Sequence, residues 1–279
     1  MTDAAARAQR RRQILAVQAL EFRKRFLGKR ALPVYLLALI PLMMFGARFV
    51  AAQVFHWNVG GSLANDRVVY AALFRTLIMR FVVYFGCVFI FVPLFRGDIL
   101  DRSLHYYFLV PLKRRTLTIA KYLSGLSAAL ILFGGVTLAT WSLLYLTQGP
   151  QAFTEQLFSA HGLFELGGYL LVTSLACIGY GAVFLAAGVF FKNPIVPAVV
   201  ILGWESINAL LPPVLKKLSV IHYLESLCPV SIPPDSGIAI LADPASPWVA
   251  IPGIVTLAFV LVTLAARRVS RLEILYGIE

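Results

Sequence analysis

Asp98 and Asp101 stand three residues apart, and two carboxylates at that spacing share one face of a helix. Such a pair suits a helix N-terminus, where capping and the helix dipole both favour negative charge. It could also mimic part of the acidic cluster that lipid transferases hold near headgroups, although the further acidic and glycine positions of such clusters are absent. Leu100, Leu104, Tyr107 and Phe108 follow as an apolar stripe at helical spacing. Pro111 then stops the helix, because the residue before a proline avoids the α region. Lys113, Arg114 and Arg115 close the segment with a basic cluster. An amphipathic helix of this kind either links its two neighbours or fits a cleft in another protein, and the residues alone leave both open.

Glu205 is the other residue whose type invites chemistry. It lies toward the expected outer end of an apolar run, with Ser206 and Asn208 close by. A carboxylate there costs a few kcal/mol unless it is paired, hydrated or protonated. One reading is a polar group on a substrate path or a proton relay, with Asn208 beside it. The other is a lateral pair with Arg48 or Arg80, or a protonated carboxyl bonded to a neighbouring helix. Glu165 reads as an interfacial charge, and Arg48 and Arg80 as side chains that snorkel outward.

Other chemistries lack their residues. There is no GxxxxGK[ST] to cradle nucleotide phosphates, and neither HExxH nor GxSxG occurs. His56, His105, His161 and His222 are scattered, and Cys87, Cys177 and Cys228 show no metal or disulfide spacing. No catalytic, cofactor-binding or metal-ligating set emerges. Ile178-Gly179-Tyr180-Gly181 resembles part of a potassium filter, but it sits inside a long apolar run where small residues serve helix packing equally well.

The elements that must carry these residues are membrane helices. Hydrophobic residues make up 59% of the 279 and charged residues only 14%, and mean hydropathy is +0.81. A soluble domain carries roughly 25% charged residues. About 20 apolar residues cross a bilayer as a helix, and candidate spans lie near 32–55, 76–95, 117–146, 163–191, 195–211 and 248–266. Lys192-Asn193-Pro194 forms a tight hairpin between the fourth and fifth. The expected fold is an all-α polytopic membrane protein of six transmembrane helices. A cytosolic amphipathic N-terminal segment covers 1–31, the transmembrane domain 32–266 and a cytosolic tail 267–279. Within the domain, 96–116 is the charged segment described above and 212–247 an outer segment broken by seven prolines, in which Val214 to Leu227 could form a short helix.

The net charge is +12. Its distribution argues for membrane orientation and against nucleic-acid binding. Of the 25 basic residues, all but Arg48, Arg67, Arg75, Arg80, Lys216 and Lys217 fall on one side of the six-span plan. By the positive-inside rule both termini are cytosolic, in a plasma or inner membrane. In the N-terminal arm Ile14, Leu15, Leu20, Phe22, Phe26 and Leu27 interleave with Arg23, Lys24, Arg25 and Lys29, as expected of a helix lying on an anionic lipid surface or of a basic stop-transfer flank.

The charged segment resembles one found in permeases of the ABC-2 type, the membrane halves of a class of ATP-binding-cassette exporters. Asp98 and Asp101 stand at that family's acidic pair, Leu104 and Tyr107 at its apolar positions, and Pro111, Arg114 and Lys121 match in order and spacing. Arg102 stands where glycine is common. The resemblance implies a permease without its own ATPase or cofactor, paired as a homodimer or with a related permease. Separate cytosolic ATPase subunits would bind ATP and Mg, and drive export. Asp98, Asp101, Leu104, Tyr107, Phe108, Pro111 and Arg114 would couple the two. A membrane-embedded lipid-modifying enzyme and a scaffold recruiting a cytosolic partner are the alternatives.

Overall fold

The computed structural model describes residues 15, 18–19, 21–22, 28, 31–56, 63–100, 114–207, 212, 215, 219–230 and 246–271. Among these there is no strand, and the architecture is an all-α bundle. Helix α1 is Leu32–Gln53. Next comes a continuous helical run built from α2 (Leu63–Leu73), a π-helical stretch (Phe74–Val83), α3 (Tyr84–Phe91) and α4 (Pro93–Leu100). Helix α5 is Arg114–Thr147, α6 Pro150–Phe158 and α7 Ala160–Phe190. The last three are α8 (Ile195–Ser206), α9 (Val220–Ser226) and α10 (Pro247–Ser270).

Five of these stretches are long and apolar enough to cross a membrane: Leu32–Gln53, Asn65–Leu100, Arg114–Thr147, His161–Phe190 and Pro247–Ser270. The second departs from the sequence expectation of 76–95. Its helix starts near Asn65, because Asp66, Arg67, Arg75 and Arg80 are absorbed by ion pairs and hydrogen bonds within the bundle. Helix α8 has only 12 residues, about 18 Å of helix against a hydrocarbon core of about 30 Å. It is apolar but too short to cross alone.

Helix α7 forms the centre. Of its most apolar window 72% is buried, against 22% for α1 and 28% for α10, so the outer helices turn their apolar faces to the surroundings. Leu36, Leu39, Ile40 and Met43 of α1 and Val255, Phe259 and Val260 of α10 are exposed, as lipid-facing residues should be. Small residues let α7 into the centre. A Cβ on Gly188 would come within 2.7 Å of the Val92 carbonyl oxygen, which is backbone and cannot yield. Gly179 and Gly181, from the filter-like string, lie inside α7 against Val220 and Phe91, so this string is helix packing. The other glycine of note is Gly149, at φ 114°, which turns α5 into α6; only glycine adopts that conformation readily.

Contacts at the helix ends sort the bundle into two faces. Gln53 donates to the carbonyls of Leu146 and Thr147 at 3.3 Å, joining the C-terminal ends of α1 and α5. On the opposite face Arg114, opening α5, donates to the Ser270 carbonyl at the close of α10 at 3.3 Å. The Lys192-Asn193-Pro194 hairpin is as expected: α7 ends at Phe190 and α8 begins at Ile195. The 147–162 connection is not a plain loop, since Pro150–Phe158 is helical. Of the N-terminal arm, Leu15, Gln18, Ala19, Glu21 and Phe22 are helical, with Leu15 exposed and Glu21 buried.

Candidate functional site

The first constellation lies on the Arg114 face, at the base of the charged segment. Lys121 sits two turns into α5 and is completely buried. An ammonium group has three protons to donate, and three acceptors meet it: Glu21 Oε1 at 2.8 Å, the Leu94 carbonyl at 2.9 Å, and Asp98 Oδ2. The Phe95 ring lies below the cation, 5.4 Å from Nζ to centroid. Glu21 is 0% and Asp98 1% exposed. One buried cation thus ties the N-terminal arm, α4 and α5 together. Leu94 and Asp98 present neighbouring groups because they are one helical turn apart. Ser124, almost a turn beyond Lys121, adds a hydrogen bond to the Gln18 carbonyl at 3.2 Å.

This position corrects the sequence reading of Asp98. It does not open a helix; it lies within α4, which begins at Pro93, and it turns inward to Lys121. Arg114 is described and binds α10. Asp101, Leu104, Tyr107, Phe108 and Pro111 lie outside the described residues, as does Asn208. Sequence reasoning took Lys121 only as the end of a spacing pattern and missed Glu21. The available signal was a lysine inside an otherwise apolar run, which requires a partner.

The second constellation is a set of charges on the opposite half of the bundle. Arg48 pairs with Asp66 at 2.6 Å, Arg67 with Glu165 at 2.7 Å and Arg80 with Glu225 at 3.0 Å. Arg75 donates to the Val230 carbonyl at 2.8 Å. Arg48 and Arg80 therefore do not simply snorkel outward, and Glu165, 2% exposed, is a buried partner of Arg67. The pairing neutralises groups that would each cost about 2.5–3.5 kcal/mol at a bilayer centre. The π-helical stretch carries both Arg75 and Arg80, and both reach the segment around α9.

Glu205 is bonded to a neighbouring helix, as one of its sequence alternatives has it, while Arg48 and Arg80 pair elsewhere. It is 6% exposed, accepts from Tyr180 Oη at 2.7 Å and faces the backbone amides of Val220 and Ile221. Those amides open α9, so Glu205 lies at the start of that short helix. Tyr180 lies ten residues before the end of α7 and Glu205 ten residues after the start of α8, each about 15 Å along its helix. The carboxylate is thus deep in the bundle. Tyr84 fixes the same region by donating to the Ala198 carbonyl at 2.6 Å, and its ring meets Tyr180 edge-on. From this deep start α9 climbs along α7: Val220 packs at Gly179, and Pro229 beyond it at Gly168.

Chemically, both constellations fasten. The lysine's three protons are engaged, and Glu205 accepts from the Tyr180 hydroxyl. Among the described residues no group of three or more His, Cys, Asp or Glu could hold a metal ion. No protein-family model, curated protein or solved structure matches this chain.

Proposed function

We propose that this chain is the transmembrane subunit of an ATP-binding-cassette exporter of the ABC-2 permease type. It moves substrate outward with energy from separate cytosolic ATPase subunits, as a homodimer or beside a related permease, with lipid around it. One observation carries the reading. Asp98 and Lys121, the first acid and the last lysine of the spacing that resembles that family, are 23 residues apart in sequence and meet in a buried ion pair. The 101–113 segment is thereby clamped at its base to α4 and α5, which run on into the two spans. A force applied to that segment by a cytosolic partner would pass into the membrane through a rigid joint. The distribution of basic residues supports a cytosolic location for this face, in a plasma or inner membrane.

The six-crossing plan also finds support. Helix α8 enters from the hairpin, stops beside Tyr180, and α9 continues along α7 toward Gly168. Together they would make one interrupted crossing, and a break of that kind is tolerable at membrane depth where protein covers it.

The test is co-purification of an ATP-binding-cassette protein in detergent, with assay of its substrate-stimulated ATPase. Leu104→Ala with Tyr107→Ala removes apolar anchors, each worth about 2 kcal/mol or more if it fills a partner's pocket. Asp101→Lys reverses a charge. The expected result is loss of the ATPase subunit with the permease still inserted. A complex and coupled activity that persist with all three changes would reduce 101–113 to a linker and sink the exporter reading. Turnover by the isolated chain would indicate the lipid-modifying enzyme, and a partner without stimulated ATPase the scaffold.

A further inference from the structure

The face shared by the π-helical stretch and α9 carries open charge at a depth where lipid would have to solvate it. Arg80 Nη2 donates to Glu225 Oε1 at 3.0 Å, yet the two side chains stay 37% and 29% exposed. Two counts give the depth of the pair. Arg80 is 14 residues from Asp66, which bonds Gln148 just past α5, and 18 from Asp98 in the Lys121 joint. Those stretches measure about 20 Å and about 27 Å of helix. Along α7, Val220 packs at Gly179 and Pro229 at Gly168, so Glu225 lies about level with Thr173, 13 residues from the start of α7 and 17 from its end. Both counts place the pair well inside a hydrocarbon core about 30 Å thick.

Charged side chains at that depth face protein or water, not lipid. The lipid-facing surfaces obey this rule: the exposed residues of α1 and α10 named above are all apolar. The Arg80 face is mixed. Phe81, its neighbour, is 52% exposed, Phe89 is also exposed, and Phe81 and Phe85 stack with ring centroids 6.4 Å apart. Phe81, Phe85 and Phe89 follow at steps of four residues and make an apolar border to the ion pair. Water would wet those rings at a cost, and lipid would strand the charges. Aromatic rings around an arginine are the composition of a protein interface.

Charge selects the partner. The face presents one cation beside one anion, and Arg80 gives Glu225 one of its five N–H donors' nitrogens, Nη2. A two-fold axis through such a face sets each Arg80 against the other chain's Glu225, so that four charges alternate in sign. An unrelated partner would need a matched pair of its own, and a second copy brings one. We propose that the face formed by Arg80, Phe81 and Glu225 is the contact between two copies of this chain in the membrane. The inference rests on the homodimeric form of the permease reading and names the surface that form would use.

Full chains bearing two different affinity tags test this by charge. Arg80→Glu leaves the face with two anions, and Glu225→Arg leaves it with two cations. Like faces repel across the axis and unlike faces attract, so each variant alone should lose self-association, read as capture of one tag by the other, by at least about tenfold. Co-expression of the two variants should restore capture. Unchanged self-association of either variant, or a folded mixture that does not recover, overturns the proposal. Each substitution also strikes the pair within its own chain, so cross-linking with the native charges decides where these variants do not accumulate. In chains whose native cysteines are replaced, Phe81→Cys in one copy and Ser226→Cys in the other are treated in membranes with a short bis-methanethiosulfonate. A covalent dimer is expected from this pair and none from Phe259→Cys, which is 72% exposed on α10, 12 residues from its start. Absence of the Phe81–Ser226 dimer overturns the proposal, whether a hydrophilic thiol reagent then reaches those cysteines, as a water path requires, or does not, as lipid requires. An equal yield from Phe259→Cys overturns it as random collision. A cross-link to a different protein in place of a second copy overturns it too, and leaves the exporter reading to its own ATPase test.

Discussion

Replacing Lys121 with Met keeps a long apolar side chain in the same space and removes the cation. Three acceptors lose this donor at once: Glu21 Oε1, Asp98 Oδ2 and the Leu94 carbonyl. Both carboxylates are at most 1% exposed, so water cannot replace the ammonium without opening the joint between α4, α5 and the N-terminal arm. Removing one partner of a buried ion pair costs about 3–5 kcal/mol, mostly the penalty for the stranded charge. For a chain of this size each kcal/mol moves Tm by about 2–4 °C, so Lys121→Met should lower Tm by about 10 °C. The native cysteines supply the assay. Cys87 and Cys177 are buried, so a thiol-reactive dye that fluoresces on coupling reports unfolding of purified protein during a thermal ramp. The matched control adds Asp98→Asn to Lys121→Met. It removes one stranded charge and should recover part of the loss, whereas two independent lesions would add. A Tm within about 2 °C of wild type for Lys121→Met, or a double change that is simply additive, would refute the claim that this buried cation holds the joint together.

Glu205→Gln should fold and retain most of its stability, because an amide oxygen can still accept from Tyr180. Glu205→Leu strips the acceptor and leaves the buried Tyr180 hydroxyl unsatisfied, at about 1–3 kcal/mol, and the same dye assay should resolve the two variants. A proton relay predicts instead that Glu205→Gln abolishes the pH dependence of transport, and equal pH profiles for wild type and variant would exclude it. In a chain whose native cysteines are replaced, an impermeant maleimide applied from outside should label a cysteine placed at Gln151, exposed on α6, and should miss one placed at Ser103. Labelling at Ser103 would invert the orientation argued from the basic residues.

The class of this molecule, the approximate limits of α1, α5, α7 and α10, and the hairpin at Lys192-Asn193-Pro194 are legible in the residues themselves. A run of about 20 apolar residues has no stable state in water, and a proline beside a charge ends a helix wherever it occurs; both are local properties. The start of the second span was not legible. Asp66, Arg67 and Arg75 read locally as residues that must stay near water, and the span is read as beginning just after them, at 76. Tertiary structure brings Asp66 to Arg48, Arg67 to Glu165 across 98 residues, and Arg80 to Glu225 across 145. Once paired, these side chains can lie inside the bundle, and the helix runs from Asn65 without a break. Lys121 and Asp98 follow the same logic. Each could be picked out as a charge beside an apolar run, but only packing reveals that they neutralise each other and that Glu21, 100 residues from Lys121, completes the joint. Hydrophobicity is additive along a chain and can be read from it in order. Electrostatic pairing depends on which helix faces lie within a few ångströms, and that is decided only when the helices pack.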